Sequence, residues 1–92
     1  MKSYIIILQL GYQENLYVNL MNYLKSSTFW ARPMNNVWII KTSKTSAEIR
    51  DGVANSINIK LGDKVAVIAV QSADWATNNI DKNVTEWMKK NI

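Results

Sequence analysis

The segment Tyr4-Ile5-Ile6-Ile7-Leu8-Gln9-Leu10 constrains the fold most, being β-branched, almost continuously apolar and closed by Gly11. Such a run reads as a strand buried on both faces in the middle of a sheet. The rest of the chain must pack around it, because 92 residues can fill one hydrophobic core but not divide it. Residues 1–92 are therefore read as a single domain, and 48% hydrophobic residues is a globular rather than a disordered proportion.

Downstream, Leu16, Leu20 and Leu24 recur every four residues with Tyr23 beside them, predicting a helix up to about Lys25. Thr28 to Met34 and Val37 to Thr42 flank Asn35-Asn36, a pair that tolerates the positive dihedrals of tight hairpin turns. Pro33 cannot donate to a central ladder, so the first arm is expected at an edge and Trp38-Ile39-Ile40 in the interior. Thr45-Ser46-Ala47-Glu48 has the spacing of a capping box, and Ile49, Val53 and Ile57 continue a helix from it. Gly52 should weaken that helix by about 1 kcal/mol relative to alanine. Gly62-Asp63 turns the chain into Lys64 to Val70, read as another buried strand, and Asn83-Val84-Thr85-Glu86 could cap a last helix with Val84, Trp87 and Met88 as its apolar side. Residues 72–92 are expected to form a C-terminal arm or helix, open to exchange between copies in a dimer.

Strand, helix, strand, strand, helix, strand is the order of a ferredoxin-like βαββαβ fold of the α+β class. Its antiparallel sheet has strand order 4-1-3-2, with two helices on one face, here joined by a short C-terminal helix. Pro33 on the second strand agrees, since that strand is an edge in this topology.

The composition excludes much chemistry. There is no cysteine for disulfides, thiolate ligation or nucleophilic attack, and no histidine for a catalytic couple or an imidazole ligand. The glycines Gly11, Gly52 and Gly62 are isolated and form no phosphate-cradling loop. No apolar run approaches membrane-spanning length. Met1-Lys2-Ser3 precedes an apolar segment that Gln9 interrupts and that lacks a small-residue cleavage pattern, so it does not read as a signal peptide and a cytoplasmic location is expected. The acids Glu14, Glu48, Asp51, Asp63, Asp74, Asp81 and Glu86 show no metal-loop spacing. Glu48 and Asp51 read as a solvated helical face and Asp63 as a turn residue. No catalytic residue, metal ligand or cofactor is assigned.

Trp30, Trp38, Trp75 and Trp87 read first as core or subunit-interface residues. The functional alternative is base stacking on Trp30 or Trp38 beside the cations Lys25, Arg32, Lys41 and Lys44, under a formal net charge of +4. Strand alternation weakens it, placing Trp38 and Ile40 on one face and Lys41 on the other.

Tyr4 to Leu10, Trp30 to Thr42 and Ser46 to Asp51 together resemble the small bacterial and phage proteins labelled SinR-like. These are relatives of the small universal CRISPR adaptation protein and of virulence-associated protein D toxins. The resemblance implies a ferredoxin-like fold, usually homodimeric, with nuclease activity in some branches. Members with proposed metal-dependent nuclease activity carry an aspartate near the end of the first strand, and the matching position here is Gln9. A neutral amide is a weaker magnesium ligand than a carboxylate and cannot act as a base. Gly11 to Asn15 also lacks the basic residues found in DNA-binding relatives.

The leading expectation is a noncatalytic homodimeric binding or interaction protein, of a phage or mobile element, acting on a host protein partner. A nucleic-acid-binding protein is the second expectation. The third is a divergent metal-dependent ribonuclease using Asp74 or another displaced carboxylate.

Overall fold

The computed structural model describes residues 1–57, 62–71 and 74–92. Among them lie four strands, β1 (Lys2–Gln9), β2 (Phe29–Met34), β3 (Val37–Thr42) and β4 (Lys64–Val70). Three α-helices accompany them, α1 (Val18–Lys25), α2 (Ser46–Ala54) and α3 (Lys82–Asn91). The sheet order is β2-β3-β1-β4 with antiparallel pairing throughout, the expected 4-1-3-2 order read from the other edge. Ile6 at the centre of β1 faces Trp38 on one side and Val67 on the other.

Alternation divides β1. Tyr4, Ile6 and Leu8 are buried and join Trp38 and Ile40 of β3, Leu20, Met21 and Leu24 of α1, and Ile49 and Val53 of α2 in one core cluster. The opposite face is covered unevenly. Ile5 is half-buried, Ile7 is 43% exposed and Gln9 is exposed, so β1 is central in the sheet without being buried on both faces. Central position fixes the pairing of a strand's edges, whereas burial of a face depends on what packs against it.

α3 contacts β2, and in its last turn the Asn91 carbonyl accepts a 2.7 Å hydrogen bond from Ser3 Oγ. Ser3, Ala31 and Ile39 are buried, while Ile68 of β4 is 52% exposed. β4 is accordingly not the buried strand its composition indicates: it is an edge, and within it only Val65, Val67 and Val70 are even half-buried.

Local signals behave unequally. The capping box forms as spelled, with the Glu48 amide donating to Thr45 Oγ1 at 3.2 Å and the Thr45 amide to Glu48 Oε1 at 3.1 Å. Leu16 departs from its helical stripe. It lies in a 3-10 turn, Glu14–Leu16, where tighter winding rotates it outward to 66% exposure, and Tyr17 takes the buried position. The Asn35-Asn36 turn joins β2 to β3 as expected, yet neither residue has positive φ. Turns of that hand splay the strands they join, and a register shift between Ala31 and Met34 accompanies this one. α3 starts earlier than its apparent box at Asn83. Asp81 is the N-cap without a side-chain cap bond, since the amides of Val84 and Thr85 already donate to the Asp81 carbonyl. Of the expected C-terminal arm, residues 72 and 73 lie outside the described residues.

Candidate functional site

β2 and β3 place Trp30, Arg32 and Trp38 on one flank of the sheet beside the end of α1. The Trp30 and Trp38 rings lie 5.2 Å apart between centroids, tilted by 41°. Arg32 Cζ lies 4.9 Å from the Trp38 ring centre, and Lys25 Nζ lies 5.9 Å from that of Trp30. The column continues through Arg32 Nη1, which donates to Glu14 Oε1 at 2.6 Å, while Nε and Nη2 donate to the Asn35 carbonyl at 3.1 and 2.8 Å. Donation from Arg32 holds the Glu14 carboxyl below its ordinary range, with the guanidinium charge and Lys25 acting in the same direction.

This column brings together four of the six residues considered for nucleic acid, but not as a stacking platform. Trp38 is 0% exposed and cannot meet a base. Among the described residues, its Nε1 has no hydrogen-bond partner. Trp30 is 37% exposed. Arg32 is committed to Glu14 and Asn35, which leaves Lys25 as the cation beside Trp30. Lys44 sits elsewhere, 5.0 Å from the centre of the Tyr23 ring. Lys41 pairs with Ser3 and Phe29 and shares a face with Ser3, opposite Trp38, as alternation requires.

Gln9 ends β1, exposed and opposite Lys64 in the register. Close by in the fold is an acid whose sequence setting marks it only as a turn residue. Asp63 is buried, its carboxylate accepting from Tyr17 Oη at 3.0 and 2.9 Å and from the Gly11 amide at 2.7 Å. The Tyr12 amide donates in turn to Tyr17 Oη at 3.2 Å. Burial, together with the bond to Asp63, pushes the Tyr17 phenol above its ordinary range. No local signal marks this group, since Tyr17 and Asp63 stand 46 residues apart in sequence. Among the described residues, no group of three or more carboxylates could hold a metal ion.

The outer face of β1 and β4 is a further surface of distinct chemical character, beside the exposed apolar side chains Tyr12, Leu16 and Val18 at the entry to α1. Ile5 lies opposite Ile68, and Ile7 opposite Ala66. Their half-face is apolar and open, whereas Ala31 and Ile39, on the half nearer α3, are buried. The sequence signal for it is the near-continuous apolar character of both strands, which taken alone reads as burial. No protein-family model, curated protein or solved structure matches the chain.

Proposed function

We propose that the chain is a noncatalytic homodimeric interaction protein of ferredoxin-like fold, whose working surface is the open apolar half-face of β1 and β4. The observation that carries this reading is the exposure of Ile7 and Ile68, 43% and 52%, on adjacent strands of a regular sheet. Contiguous apolar surface on a small domain is costly in water and marks a site of association. The strand order and a core cluster drawing on both α1 and α2 support the ferredoxin-like assignment. Resemblance to the SinR-like proteins, which include phage members, supports a role in a phage or mobile element, and a host protein is proposed as the partner for the open half-face.

The catalytic alternative draws less support, because the strand-end position is an exposed neutral amide. Nucleic-acid binding draws less because Trp38 is buried and Arg32 is already bonded. The test is affinity capture from cell extract with the native chain and with Ile68→Glu as baits, read by mass spectrometry. A specific protein recovered by the native bait and lost from the variant is the expected result. Equal recovery on both baits, or no specific protein on either, would sink the reading.

A further inference from the structure

The two edges of the sheet are not equivalent. β2 contains Pro33, which has no amide hydrogen to donate, and its register with β3 shifts between Ala31 and Met34. Arg32 stands on it, and α3 packs against it. Each feature discourages a further strand. β4 has none of them. Its pairing with β1 runs without a shift from Ser3 opposite Val70 to Gln9 opposite Lys64. Its residues Lys64–Val70 include no proline or glycine, and Lys64 alone carries a charge. Among the described residues no strand lies beyond it. A regular, apolar edge strand offers a row of donors and acceptors to another strand.

We propose that β4 pairs antiparallel with β4 of a second copy, about a two-fold axis at Val67, to form one continuous sheet across the dimer. This deepens the proposed interaction role and rests on it, naming the dimer contact. The strand's own sequence argues for a second copy as the occupant. Full overlap of Lys64–Val70 with itself sets Ala66 of one copy against Ile68 of the other, and Val65 against Ala69. Apart from the Lys64–Val70 ends, every pair is apolar on both faces, with Val67 opposite its own copy on the axis, and directly opposed side chains are close enough to make cross-strand contact. The charges are compatible as well. Each Lys64 falls opposite Val70 of the other copy, so the two ammonium groups stand at opposite ends of the strand, roughly 20 Å apart. An isologous contact of this kind closes on itself and leaves as edges only the two β2 strands, which Pro33, the register shift and α3 guard. It also brings the Ile7, Ala66 and Ile68 half-faces of both copies side by side as one apolar strip.

Two experiments test it. The chain has no cysteine, so introduced thiols report alone. Ala66→Cys and Ile68→Cys chains are oxidised separately and as a mixture. The expected result is covalent dimer from the mixture and little from either alone. No excess in the mixture would overturn the pairing. Sedimentation velocity then compares Ala69→Lys, which charges an exposed edge position on the helix side, with Ile7→Glu on the outer face of β1. Loss of dimer in Ala69→Lys with retention in Ile7→Glu is expected. Dimer that survives Ala69→Lys overturns the edge contact. If Ile7→Glu alone disrupts that dimer, the half-face reading stands without the edge. A monomeric native chain overturns both.

Discussion

Gly52 stands where two local demands oppose each other. As an interior residue of α2 it costs helix stability, about 1 kcal/mol relative to alanine. Tertiary packing reverses the preference, because a methyl group at this position would overlap the Tyr23 ring of the neighbouring helix. The glycine therefore leaves room for the end of the Tyr23 ring, against which Lys44 also lies. Overpacking of this kind costs about 1–3 kcal/mol, enough to outweigh the propensity gain. Gly52→Ala is expected to lower the urea midpoint of the native chain and to raise it in a Tyr23→Ala background. The sign change between backgrounds is the measurement, and a stabilising Gly52→Ala in both would refute the packing argument. The helix start at Thr45 is fully visible in the sequence because its capping partners are three residues apart. The role of Gly52 is not, because Tyr23 lies on another helix.

At the scale of elements, Tyr17 and Asp63 bind three segments together: the loop after β1 through Gly11, the entry to α1 through Tyr17, and the entry to β4 through Asp63. The fold's alternations and turns are legible because each depends on neighbours along the chain, which is why β3, the hairpin and the start of α2 form where their residues place them, whereas α2 ends at Ala54, short of the Ile57 that its four-residue spacing would include. This latch is not, since a Gly-Asp pair before a strand looks identical whether the aspartate is solvated or buried. Leu16 fails for a related reason: four-residue periodicity cannot reveal that the first turn winds as a 3-10 helix. Of the candidate nucleic-acid residues, alternation correctly separates Lys41 from Trp38, while the burial of Trp38 depends on packing between elements. The latch has a pH signature. The Tyr17 phenol ionises near pH 10 in the unfolded chain and higher in the folded one. Its stabilisation is complete below pH 10 and is lost as the pH rises through the raised folded value, because the unfolded state then releases the proton first. Tyr17→Phe should be less stable than the native chain at neutral pH, with the two urea midpoints converging above pH 10. Midpoints that fall in parallel would show that Tyr17 does not contribute through its proton.

The molecule is a thin slab, 36 × 28 × 19 Å, in which, among the described residues, the helices leave half of one sheet face open. Its accessible surface is 6138 Å², against about 5400 Å² expected of a monomeric domain of 10.5 kDa. A chain this small has little stability to spare, and exposed apolar area removes part of what burial would contribute. Association restores that area to a dry environment, and mass action then makes stability depend on how much protein is present. For a dimer that unfolds to two chains, each tenfold increase in concentration adds about 1.4 kcal/mol per mole of dimer. The thermal midpoint of the native chain should therefore rise with concentration, while Ala69→Lys, which opposes the β4 contact, should melt at one temperature throughout. Ala69 is exposed in the single chain, so its replacement leaves the core cluster untouched and isolates the assembly. The same concentration series read by circular dichroism separates the two effects: a folded variant with a fixed midpoint places the extra stability in the dimer. A native midpoint indifferent to concentration would mean that the slab is stable alone with its half-face in water.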